Sequence, residues 1–262
     1  MSAQATRGRA AGAARLPTGV AGLDTMLFGG IRAGDSTLVV GSPGTGKTTL
    51  GLHFIAAGVE RGEPGVFVTF EYLPQQLYED AERHGIPLRA WEEAGRAKVL
   101  CTTPEVLVMP TDEGSLLQEA VAEIGAKRVV VDSMAQFQHG GSDRDRLRGE
   151  VAGILNHMRL LGVTALLTHE APQIISPIVT LSEWGLEFLV DNVVMLRYVE
   201  LGGELDKAIS VLKFRAGGHD RRYHRVTLGD RGMSVEAGFE DVENISVGSA
   251  RRSMSQRVKE LV

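Results

Sequence analysis

The chain has a single cysteine, Cys101, in 262 residues, so no intrachain disulfide and no cysteine-based metal cluster can form, as suits a reducing compartment. Its place in an apolar segment predicts packing within a strand. No apolar run approaches the roughly 20 residues that span a bilayer, and the N-terminal residues lack the apolar centre of a secretory signal. A soluble, cytoplasmic protein without a membrane partner is therefore expected. Excess positive charge is missing too: the formal net charge is −5, which offers no global attraction to phosphate backbones. None of the seven histidines falls in a metal-binding spacing. There is no internal repeat or low-complexity block.

What is present is an ordinary globular balance, 43% hydrophobic and 23% charged, enough for one sizeable α/β core. Residues 1–15 carry Arg7, Arg9 and Arg15 without an acid and are expected to be a disordered tail. Residues 16–238 form the expected domain. Residues 239–262 are a polar tail with weak helical spacing at Met254, Val258 and Leu261. Within the domain, apolar runs at 36–40, 65–70, 99–102, 128–131 and 163–167 alternate with helical patterns, including Leu147, Val151, Ile154, Leu155 and Met158. Continuous apolar runs suit strands buried on both faces, so a mainly parallel central sheet flanked by helices is predicted. Residues 193–200 and 205–214 read as a hairpin and 222–228 as one more strand, giving a C-terminal antiparallel extension.

The segment Gly41-Ser-Pro-Gly-Thr-Gly-Lys-Thr48 fits G-x-x-x-x-G-K-[ST] between an apolar strand and a helix. Glycines there allow close backbone approach, and N–H groups at a helix N-terminus point at phosphate oxygens. Ser42, Pro43, Gly44, Thr45, Gly46, Lys47, Thr48 and Thr49 are thus nucleotide-binding candidates. Lys47 would reach the β- and γ-phosphates of ATP, and the Thr48 hydroxyl would ligate Mg²⁺. Asp132, ending the Val129-Val130-Val131 run, is the second candidate Mg²⁺ ligand. Glu71 ends the strand at 65–70, where it could orient attacking water or be a solvated turn residue. Thr168-His169-Glu170 could sense the γ-phosphate or be a polar strand end. Lys213 and Arg215 leave one face of a strand and Phe214 the other, which fits either a solvated edge or a basic finger reaching a neighbouring subunit.

Taken with Leu16-Pro-Thr-Gly-Val-Ala-Gly-Leu-Asp24, Phe67-Val-Thr-Phe-Glu71, Asp132-Ser133 and Lys213-Phe-Arg-Ala-Gly-Gly-His219, the P-loop makes residues 16 to about 236 resemble the KaiC family of RecA-like ATPases. The resemblance implies a homohexameric ring with ATP held between subunits. The P-loop would lie in one subunit, while Lys213, Phe214, Arg215 and His219 reach in from the next. Arg83 and Asp230 are implied near the nucleotide. Glu71, Lys47, Arg215 and Lys213 then form the catalytic set.

Two departures stand out. The clock protein has two such domains, and its catalytic position carries adjacent glutamates where this chain has Glu71-Tyr72. The hydroxyl pair that its second domain phosphorylates aligns with Glu187-Phe188, so self-phosphorylation there is impossible.

Three functions compete: a ring ATPase regulating partner proteins through nucleotide state, a nucleotide-responsive module or serine/threonine kinase with slow turnover, and a DNA-handling ATPase. The last is disfavoured because 133–142 and 160–196 contain no lysine or arginine.

Overall fold

The structure is a computed structural model that describes residues 14–109, 114–140, 144–171, 185–201, 203–239, 242–243 and 249–252. The first half holds β1 (Arg15–Leu16), α1 (Ala21–Met26), β2 (Ile31–Arg32), β3 (Ser36–Gly41), α2 (Lys47–Val59), β4 (Gly65–Thr69), α3 (Pro74–Arg83), α4 (Leu88–Glu93) and β5 (Ala97–Cys101). Then come α5 (Pro104–Val108), α6 (Leu116–Ile124), β6 (Arg128–Asp132), a 3-10 turn at Met134–Gly140, α7 (Arg144–Leu161), β7 (Thr164–Glu170) and α8 (Leu186–Leu189). The C-terminal part is β8 (Asn192–Leu201), β9 (Glu204–Phe214), β10 (His224–Gly229), β11 (Gly232–Gly238), β12 (Val242–Glu243) and β13 (Ser249–Arg252).

The sheet runs β11-β10-β9-β8-β3-β7-β6-β4-β5. Its members from β8 to β5 are parallel, and β9, β10 and β11 continue it antiparallel. The expected α/β class, mainly parallel with an antiparallel C-terminal extension, is the one observed. Every residue of β3, β4 and β6 is buried, which accounts for their unbroken apolar runs. The pleat sorts them: Val39, Phe67 and Val130 meet Leu50, Phe54 and Ile55 of α2 on one face. Leu38, Val66 and Val129 meet Leu117 and Val121 of α6 and Leu155 and Met158 of α7 on the other. Because all six parallel strands end at one rim, their connecting loops gather there, where ligands of such sheets bind.

Arg128 opens β6 yet is fully buried. Its guanidinium pairs with Glu63 at 2.6 Å, donates to Pro17 O at 2.7 Å and Phe54 O at 3.0 Å, and lies over the Phe54 ring. Burial pushes its pKa down and Glu63 pushes it back. A buried arginine is tolerable only when so many donors are satisfied.

Several local expectations change. Cys101 is exposed at the end of β5 rather than packed, because among the described residues β5 has a strand neighbour on one side only. Arg15 belongs to the fold: it donates to Gly30 O at 3.0 Å and Ala216 O at 3.1 Å and lies 4.9 Å from the Phe214 ring centre. The strand read at 222–228 is half of a hairpin whose other half is β11. In the C-terminal tail residues 242–243 and 249–252 are strands, with β13 parallel to the end of β8 at Glu200 and Leu201. Arg7, Arg9, Met254, Val258 and Leu261 lie outside the described residues, as does 172–184 within the segment read for nucleic acid.

Candidate functional site

Between β3 and α2 the chain turns through Gly44 (φ +75°) and Gly46 (φ +101°), backbone states that L side chains rarely adopt. Space is as restrictive as φ: a Cβ on Gly44 would sit 2.7 Å from the Tyr198 hydroxyl, and one on Gly46 2.7 Å from Met233 Cε. The loop is tied internally, since Thr45 Oγ1 donates to Ser42 O at 2.8 Å and Lys47 Nζ to the same carbonyl at 3.0 Å. Leu50 N–H makes the first intrahelical bond, to Gly46 O. The N–H groups of Lys47, Thr48 and Thr49 therefore belong to the first turn, the part of a helix that favours an anion.

Facing that turn is Asp132 at the end of β6. Thr48 Oγ1 donates to its Oδ2 at 2.8 Å, and Thr168 Oγ1, from the intervening β7, donates to Oδ1. Burial raises the carboxyl pKa of Asp132, and the two hydroxyls and Lys47 oppose that rise. Burial also lowers the Lys47 pKa, against the pull of Glu170, Asp132 and Glu71. His169 is held neutral, its pKa pushed down to about 4 by burial and by the Lys47 charge. Glu71, just past β4, accepts from Gln136 Nε2 at 2.6 Å. Burial and then the charges of Asp132 and Glu71 raise the pKa of the adjacent Tyr72 hydroxyl.

These groups surround a cleft of about 320 Å³ lined by Pro43, Gly44, Gly46, Lys47, Thr48, Thr49, Glu71, Tyr72, Asp132, Ser133, Glu170 and Leu228. Two glycines without room for a Cβ fit the close approach of phosphate. A hydroxyl beside a desolvated carboxylate is a hard-oxygen pair suited to Mg²⁺.

The remaining expected residues lie elsewhere. Asp230 sits in the β10–β11 turn, two residues past the cleft-lining Leu228. Arg83 closes α3, exposed and paired with Asp80 at 2.9 Å, and does not line the cleft. Lys213 and Phe214 end β9, opposite Val193 and Asn192, whereas the P-loop end of β3 pairs with Leu196. Arg215 thus lies about five strand residues, roughly 17 Å, towards the opposite end of the sheet. His219 stands edge-on to the Phe214 ring, 6.3 Å between centres.

The family model for the KaiC ATPase matches residues 16–239, most of the chain. The chain belongs to the KaiC ATPase family. It is 29% identical over 248 residues to a circadian clock oscillator protein KaiC of Picosynechococcus sp. (strain ATCC 27264 / PCC 7002 / PR-6), covering 95% of this chain and 48% of the relative. The corresponding protein of Prochlorococcus marinus (strain MIT 9313) is 32% identical over 230 residues, 84% of this chain and 46% of the relative. Circadian clock protein KaiC3 of Synechocystis sp. (strain ATCC 27184 / PCC 6803 / Kazusa) is 32% identical over 219 residues, 80% and 43% respectively. The chain spans about half the length of the curated relatives it matches. Its sheet is accordingly that of a RecA-like P-loop ATPase domain, and the family it belongs to binds ATP.

Some neighbours of the cleft escaped the sequence reading. Tyr198 donates to Pro43 O at 3.2 Å, and only the β3–β8 register brings it there. Leu228 and Met233 flank a Gly-Asp-Arg-Gly turn that could have revealed their hairpin. His53 on α2 accepts from Met233 N–H at 2.9 Å and clasps that hairpin to the P-loop helix. Gln136 carried no sequence signal.

Proposed function

We propose that residues 16–238 form a KaiC-like domain that binds ATP with Mg²⁺ between neighbouring subunits of a homohexameric cytoplasmic ring and hydrolyses it, regulating partner proteins through nucleotide state. The observation that carries this reading is the separation within one chain: the P-loop, Asp132 and Glu71 share one rim, and Lys213, Phe214, Arg215 and His219 lie at the far end. A chain that cannot close its own site can close its neighbour's.

In this reading the P-loop N–H groups and Lys47 hold the β- and γ-phosphates. Thr48 and Asp132 would hold Mg²⁺, which neutralises charge on the phosphates. Glu71 orients the attacking water and takes its proton. Arg215 and Lys213 of the next subunit stabilise the charge that builds on the transferred group. Asp230, in the turn two residues past the cleft-lining Leu228, would approach the nucleotide from there, and Arg83 would act only after its pair with Asp80 opens.

Glu71→Gln and Arg215→Ala are the decisive variants. Phosphate release by assembled protein should collapse in both, and unchanged turnover in either removes that residue's role.

One contact favours slow turnover, the second reading. Gln136 already donates to one oxygen of Glu71, the single glutamate at this position, so one of the two oxygens that could receive the water's proton is engaged. Single-ring turnover measured beside nucleotide-dependent oligomer size separates an ATPase from a nucleotide-responsive switch.

A further inference from the structure

The carboxylate of Asp191 is fully buried at the foot of the sheet, far from the P-loop. Its Oδ2 accepts from Ser36 N–H at 3.0 Å and Ser36 Oγ at 2.9 Å, at the start of β3. Its Oδ1 lies 3.6 Å from the guanidinium of Arg215, and Arg159 lies 3.6 Å from Oδ2. Arg159 also donates to Asn156 Oδ1 and Leu189 O. Around the same point Arg215 N–H donates to Asn192 Oδ1 at 3.3 Å, and Lys213 Nζ donates to Glu187 O at 2.8 Å and Val190 O at 2.7 Å.

A buried charge is retained at a desolvation cost, and its ion pair with a side chain that is 53% exposed contributes little to stability. Orientation is what such a pair can supply. A free arginine crossing to another subunit must lose its rotamer freedom there, whereas one aimed from its base by a fixed carboxylate has lost part of it already.

We infer that Asp191 is a positioning residue for the intersubunit reaction: anchored by Ser36, it aims Arg215 at the phosphate held by the next subunit. This rests on the intersubunit reading above. It also ties each finger to the foot of the strand whose other end carries that subunit's own P-loop.

The test uses co-expressed mixed rings of Lys47→Ala subunits, which supply only fingers, and Arg215→Ala subunits, which supply only P-loops. Asp191→Asn keeps an acceptor for Ser36 and removes the charge. Placed in the finger subunit it should lower ATP turnover about tenfold, in kcat more than KM. Placed in the P-loop subunit, which has no finger left to aim, it should cause no further loss. Ser36→Ala, which loosens the carboxylate but leaves its charge, should give a smaller loss with the same one-sidedness. Equal losses on both sides overturn the inference by reducing Asp191 to a fold residue. A gain in turnover overturns it by making the pair a restraint. No turnover in the parent mixed ring removes the intersubunit reading, and the inference with it.

Discussion

At the rim where the parallel strands end, Ser42, Lys47, Thr48, Asp132 and Thr168 already bond to one another, and burial shifts the pKa values of Lys47 and Asp132. At the opposite end Arg215 is half exposed, and the nearby Lys213 ammonium caps backbone carbonyls rather than facing another active group. One end is organised within the single chain, and the other leaves an arginine half exposed. In the proposed ring, the difference would place binding within the subunit and make the rate depend on the neighbour.

The sharpest way to break that comparison is Arg215→Ala. It should lower kcat in assembled protein by about 10³-fold or more, the range for arginine fingers in other NTPases, while ATP binding to isolated subunits changes little. A matching loss of binding in the isolated subunit would move Arg215 into its own cleft.

Next comes Arg128→Ala. It strands Glu63 and two carbonyls and should cost about 3–5 kcal/mol, seen in urea unfolding. The P-loop helix should suffer with it, because Arg128 grips Phe54 of α2.

The rim also predicts a pH signature. The His169 pKa falls from the ordinary 6.5 to about 4 in the fold. Between those values the unfolded chain takes up a proton that the fold refuses, so this group's contribution makes stability fall as pH falls through the window. The loss amounts to about 3 kcal/mol. Asp132, with its raised pKa, works in the opposite sense, so the comparison is wild type against His169→Gln in denaturant melts. The variant should lack the His169 contribution, and parallel pH profiles would show that the imidazole is not held neutral.

The smallest effect belongs to Tyr198→Phe. Losing one hydrogen bond to the P-loop should weaken ATP binding by about 1 kcal/mol, or about fivefold, in a titration.

The rim was readable because its logic is local. A strand buried on both faces must be continuously apolar, and a phosphate loop must have glycine where φ is positive, so residues 36–59 and Asp132 stood out. Less legible features depend on chain segments far apart. Arg128 looked like a strand's first residue because its partners come from Glu63, Pro17 and Phe54. Arg15 looked like tail because it binds the turn between α1 and β2 and the segment after β9. The helices α4, α5 and α8 are too short to display a period, and β11 was hidden behind an exposed turn. The far end stayed ambiguous because the chemistry proposed for it involves a second copy of the chain, on which one sequence carries no geometry.

Cys101 now has a practical meaning. It is the chain's single thiol, exposed at the end of β5 and paired in register with Thr69, two residues before Glu71. An environment-sensitive fluorophore attached there would sit one strand from the cleft without any engineered cysteine. Emission from wild-type protein could then follow nucleotide arrival, and the proposed ring assembly, in real time.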